Sequence, residues 1–145
     1  MPSPNIAQGT LNKLIGSLVW TDFPTLNVTP SYLLPEGIDL AFEGEATVLL
    51  PSMTGLVTSP EPYQKTRVMI HLNKAQALAE QYKIQLETNT LMGALTIYTD
   101  SPTISVYNLI NCALTGIASF TIAGRDAGYV MSVQGAYNIN SALWP

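Results

Sequence analysis

Apolar residues recur in this chain mostly with a period of two, and that spacing sets the expected fold class. Over residues 38–43, Ile38, Leu40 and Phe42 alternate with Asp39, Ala41 and Glu43. A strand with one apolar face has this pattern, because successive side chains leave it on opposite sides. Residues 66–72 repeat it, with Val68, Ile70 and Leu72 on one face and Arg67, Met69 and His71 on the other. Strand-length segments rich in apolar residues also occupy 14–20, 46–50, 94–99, 105–114, 119–123 and 129–139, and 26–28 is long enough to pair briefly. A bend at Gly44-Glu45 makes 38–43 and 46–50 a plausible hairpin. Helical spacing dominates once: Asn73 is a suitable N-cap, Gln76 follows as in a capping box, and Ala75, Leu78, Ala79, Tyr82 and Leu86 form an apolar stripe. The spacing predicts a helix over 74–89 with Glu80, Lys83 and Glu87 on its wet side.

Prolines and glycines punctuate these elements. Residues 30–37 contain two prolines, which remove ladder donors, so this segment is expected to be a connector. Turns are expected at 21–24, 100–102, 115–116 and 124–128. Residues 51–64 are the least regular stretch, with three prolines and a glycine around Leu56, Val57 and Thr58. Long loops usually have a task, so 51–64 is a candidate contact arm between subunits, with Leu56, Val57, Thr58 and Tyr63 as its candidate residues. A solvated surface loop is the competing reading. Residues 1–13 are polar and carry two early prolines, as an extended arm would, and 14–145 form one domain. One helix against seven or eight short strands makes the fold class mainly β, a compact β-barrel or β-sandwich with one flanking helix.

Composition adds a statement about the surface. Hydrophobic residues make up 47% of the 145 positions and charged residues only 11%, against roughly 25% in an ordinary soluble domain. A surface so poor in charge implies cover by partners, with self-association ahead of an uncharged polar exterior. The net charge of −4 and the dispersed cations argue against holding nucleic acid by its phosphates. No apolar run approaches the roughly 18 residues a membrane helix needs, and residues 1–5 lack a signal-peptide pattern, so a cytoplasmically made protein is expected. The single cysteine, Cys112, excludes an internal disulfide and is expected to be a small buried hydrophobe.

Candidate chemistry is sparse. His71 is the only histidine, it falls on a predicted strand, and no G-x-S-x-G pattern accompanies it, so nucleophilic catalysis lacks its base. Glu43 and Glu45 have the best spacing for an acid/base pair, since residues two apart on a strand share a face. Nothing around them supplies the aromatic, polar cleft of a sugar-cleaving site, which favours a solvated turn or a negative lining. Phosphate-binding glycine loops, metal-ligand clusters and EF-hand spacing are absent from the sequence. Neither an enzyme nor a cofactor is expected.

A family resemblance runs through the chain in order. Its residues are Leu26-Asn27-Val28-Thr29, Glu36-Gly37-Ile38, Phe42-Glu43-Gly44-Glu45-Ala46-Thr47, Thr54-Gly55 and Val57-Thr58-Ser59-Pro60-Glu61-Pro62-Tyr63. It continues through Lys74-Ala75-Gln76-Ala77-Leu78-Ala79 with Tyr82, then Asp126-Ala127-Gly128-Tyr129-Val130 and the segment from Tyr137 to Trp144. These segments resemble tail tube proteins of contractile-tailed bacteriophages. The resemblance implies hexameric rings stacked into a hollow tube, with strands of all six subunits lining its lumen. The implied partners are other copies of the chain, the tail sheath protein, baseplate and tail-terminator proteins, and tape measure protein and genomic DNA in the lumen, without specific DNA binding. It further implies assembly in the host cytoplasm, residence in the virion tail and passage through the host envelope. Asp39, Glu43 and Glu45 are lumen candidates, because an acidic wall would repel DNA. The tube of a type VI secretion system or another contractile injection particle is the nearest alternative, and a monomeric carbohydrate-binding β-sandwich is the alternative of a different class.

Overall fold

The computed structural model describes residues 14–101, 103–120, 122–125 and 127–143; the arm expected over 1–13 lies outside them. The fold is mainly β. Among the described residues, eight strands and one α-helix follow in the order β1 (Gly16–Trp20), β2 (Leu33–Glu43), β3 (Thr47–Pro51), β4 (Leu56–Pro60), β5 (Tyr63–Asn73), α1 (Ala77–Thr88), β6 (Leu91–Thr99), β7 (Tyr107–Phe120) and β8 (Gly128–Asn138). Six strands form one antiparallel sheet in the order β1-β6-β7-β8-β5-β2, and among the described residues β3 pairs only with β4. The large sheet curls as a half-barrel and stays open, with β1 and β2 as its edges.

Alternation builds the core as the period-two pattern requires. Along β5, Thr66, Val68, Ile70 and Leu72 are fully buried while the intervening residues face the other side. Leu18 and Trp20, Met92 and Leu95, Leu109, Cys112 and Leu114, and Tyr129, Met131 and Val133 bring four more strands to the same core. Leu26 and Val28 join it through a brief antiparallel bridge, Leu18↔Val28. From α1, Leu78, Ala79 and Tyr82 reach that core, while Lys83 and Glu87 pair at 3.4 Å on the exposed side. Phe42, Tyr107 and Tyr137 pack on one another with ring centroids 5.5, 5.7 and 6.0 Å apart, and Tyr137 rests against the core.

Several boundaries differ from expectation, each for a local reason. The helix starts at Ala77 because Asn73 ends β5. The Asn73 carbonyl accepts from the Gln76 N–H and its side-chain oxygen accepts from the Ala75 N–H, both at 3.0 Å, which makes a turn and not a helix cap. Residues 33–37 are part of β2, and a register shift between Leu33 and Ile38 absorbs Pro35 and Gly37. Residues 46–50 pair with β4 and not with 38–43. Finally, 105–114 and 119–123 contribute to one continuous strand, β7, because Gly116 forms a bulge there instead of a turn.

Candidate assembly surfaces

The segment expected to be irregular is half of a β-hairpin. β3 and β4 pair from Thr47↔Pro60 to Pro51↔Leu56, closed by the turn Ser52-Met53-Thr54-Gly55. In the turn, the Ser52 N–H and hydroxyl both donate to the Gly55 carbonyl, at 2.7 and 2.9 Å. Leu49 and Leu50 are adjacent, so they face opposite sides of the ribbon, and both are about half exposed. Leu56 and Val57 behave alike, and Met53 at the tip is wholly exposed. An apolar ribbon with neither face covered is unusual on a single chain.

The base of the arm is fixed. The Asn140 side-chain amide donates to the Glu61 carbonyl at 2.7 Å, the Ile139 N–H to the Pro62 carbonyl at 3.1 Å, and the Glu61 N–H to the Ala46 carbonyl at 3.0 Å. Thr58 is exposed opposite Leu49, and Tyr63, also exposed, opens β5 at the arm's base. Three of the four candidate arm residues, Leu56, Val57 and Thr58, thus lie on one ribbon with Tyr63 at its root.

The face of the large sheet away from the core carries polar side chains that pair among themselves. Asp39 and Glu43 share this face. Asp39 Oδ2 lies 3.1 Å from His71 Nε2, and Glu43 lies 3.1 Å from Arg67 Nε and 3.8 Å from Lys65 Nζ. The Thr115 hydroxyl donates to Ser132 Oγ at 2.8 Å, and the Thr96 hydroxyl to Asn108 Oδ1 at 3.0 Å. Two carboxylates on this face therefore meet two cations and His71, so their charge is locally compensated. β2 ends at Glu43, and Gly44, at φ +83, bends the chain before Glu45. Glu45 follows the end of β2, so the rule that residues two apart on a strand share a face does not extend to it. Among the described residues no group of three His, Cys, Asp or Glu side chains is placed to hold a metal ion.

No protein-family model and no curated protein sequence matches this chain.

Two further surfaces carry no strong signal in the sequence. The outer edge of β2 has no partner strand among the described residues, whereas β1 is blunted by the 26–28 segment, where the Trp20 N–H also donates to Asn27 Oδ1 at 2.8 Å. At the helical end of the sheet an open groove of about 410 Å³ lies between α1 and the β7–β8 connection. Ala79, Phe120, Ile122 and Tyr129 form its apolar walls, and Lys74, Gln76, Glu80 and Lys83 its rim. The Phe120 and Tyr129 rings stand 5.0 Å apart, and the Tyr129 hydroxyl is buried with no hydrogen-bond partner among the described residues. Burial raises the pKa of that phenol, and the Glu80 and Glu87 carboxylates raise it further. The adjacent apolar pairs Leu49-Leu50 and Leu56-Val57 are the sequence signs of a two-faced ribbon; the groove depends on long-range pairing and has none.

Proposed function

We propose that this chain is the structural subunit of a bacteriophage tail tube, in which copies close into hexameric rings that stack inside a contractile sheath and conduct DNA. One observation carries the self-assembling part: an apolar hairpin, anchored at its base and uncovered on both faces, projects beside a sheet with an open β2 edge. The family resemblance of the sequence supports the rest. In this reading the arm residues Leu56, Val57 and Thr58 meet a neighbouring subunit. Asp39 and Glu43 lie on the sheet face that serves as lumen wall, where Lys65 and Arg67 pair with Glu43 and His71 stands 3.1 Å from Asp39. An internally paired wall gives a passing polyanion few free cations to bind and little repulsion to overcome. Sheath, baseplate, terminator and tape measure proteins are the partners this placement implies. No catalysis is asked of the chain.

Negative-stain microscopy of the purified protein tests this directly, with rings or rods of uniform diameter as the expected outcome. A monomer by light scattering at every concentration and ionic strength would overturn it.

A further inference from the structure

We infer that the Asn140 side chain is a latch that sets the angle of the β3–β4 arm, and that its release lets the hairpin swing as one unit about residues 44–45. The inference concerns the free subunit and stands whatever the arm meets. Among the described residues β3 and β4 pair only with each other. A two-stranded hairpin alone is marginal in water, so its direction has to be held at its base. The base has two crossings of unlike stiffness. On the β2 side the chain passes through Gly44, at φ +83, where a side chain would meet nothing within 4 Å. Gln64 Nε2 donates to the Gly44 carbonyl at 3.1 Å, which marks the sheet-side limit of this pivot. On the β5 side the chain passes through Pro60-Glu61-Pro62, where the two proline rings fix φ and supply no N–H.

The stiff crossing is docked on the end of β8. The β5–β8 ladder runs to Tyr63↔Asn138, and the Ile139 N–H carries it one step further, to the Pro62 carbonyl at 3.1 Å. At the next step a side chain replaces the backbone: Asn140 Nδ2 donates to the Glu61 carbonyl at 2.7 Å and reaches the Ala46 carbonyl at 3.5 Å. Ala46 and Glu61 flank the hairpin and are joined by the Glu61 N–H to the Ala46 carbonyl at 3.0 Å. One amide with two N–H groups thus spans both crossings. The backbone of Asn140 is the independent sign, because it takes φ +56. A non-glycine residue is uncommon in that region and persists where its surroundings hold it, as at switch positions. The chain turns there, and the Leu143 N–H closes the turn on the Asn140 carbonyl at 2.9 Å. Leu143 is exposed, so a partner that seizes the 140–143 turn withdraws the amide and frees the arm.

Spin labels on Met53→Cys at the arm's tip and Ile84→Cys on α1, both exposed positions, read the arm's angle in the free subunit as a distance distribution. Cys112 is buried and takes no label. With Asn140 in place the distribution should be single and narrow. Asn140→Gly leaves the backbone free to take φ +56 and removes only the amide, and Asn140→Asp keeps the size and removes the donor. Both should broaden the distribution, and the amides of residues 47–60 should exchange about tenfold faster while core amides such as that of Ile70 keep their rate. A broad distribution with Asn140 present would mean that nothing holds the arm, and a narrow one in both variants that Asn140 does not; either result overturns the inference. So does loss of the whole fold in both, which would make Asn140 a support of the domain and not of the arm. Since the labelled species is the free subunit, none of these outcomes bears on whether copies assemble.

Discussion

A β-carbon added to Gly135 would stand 2.6 Å from the Cys112 sulfur and 3.3 Å from the Ile110 carbonyl oxygen. The glycine is there for close approach between β7 and β8. Gly135→Ala should therefore cost about 1–3 kcal/mol in denaturant unfolding, and adding Cys112→Ala should recover part of that loss by removing the sulfur. A G135A chain as stable as the parent would refute the contact. The cysteine itself matches its sequence reading as a small buried hydrophobe, at 2% exposure. Burial pushes its pKa from 9.0 up to about 12. The native state thus holds a proton that the unfolded chain releases, so this stabilisation is complete below pH 9.0 and is lost as pH rises towards 12. Urea midpoints followed into that range should fall less steeply for Cys112→Ala than for the parent chain, by up to about 1.4 kcal/mol per pH unit.

Between elements, a buried relay ties α1 to the sheet: Trp20 Nε1 donates to the Tyr82 hydroxyl at 3.0 Å, and that hydroxyl donates to the Leu26 carbonyl at 2.7 Å. Tyr82→Phe keeps the ring and leaves both partners unsatisfied, so it should destabilise by about 2–3 kcal/mol and change the near-ultraviolet signal of Trp20. A neutral effect would mean that water replaces the hydroxyl. Both ends of this relay were legible as core positions, Trp20 ending a strand-length run and Tyr82 on the helical stripe, but their contact across 62 positions was not. The same division holds elsewhere. Strands such as 66–72 were legible because alternation is a local signature of burial on one face. The partner of 46–50 was not, because pairing is decided by which distant strand lies alongside. Gly116 misled in the same way, since a glycine that ends one strand in sequence terms can equally bulge a longer one.

At the scale of the molecule, 11% charge pointed to a covered surface without locating it. The structure concentrates much exposed apolar surface at the ends: the arm with Tyr63 and Leu143 at one, Phe120, Ile122 and Leu91 at the other. The candidate lumen residues were legible as charges but not as ion pairs, because Lys65, Arg67 and His71 come from β5, which reaches β2 only through the fold. The arm offers the sharpest separation of folding from assembly. Leu50 and Val57 face each other across the ribbon, and both are about half exposed in the single chain. Replacing both with serine removes little core packing, so the unfolding midpoint should move by no more than about 0.5 kcal/mol per site. If a second copy buries them, each loses about 1–2 kcal/mol of contact, and assembly should weaken by about a hundredfold for the pair. High salt should not restore it, since the missing contacts are apolar, whereas the parent's assembly should strengthen as screening relieves the repulsion between copies of net charge −4. Light scattering across a concentration series separates the cases: a double variant that assembles like the parent places the subunit contact elsewhere than on the arm.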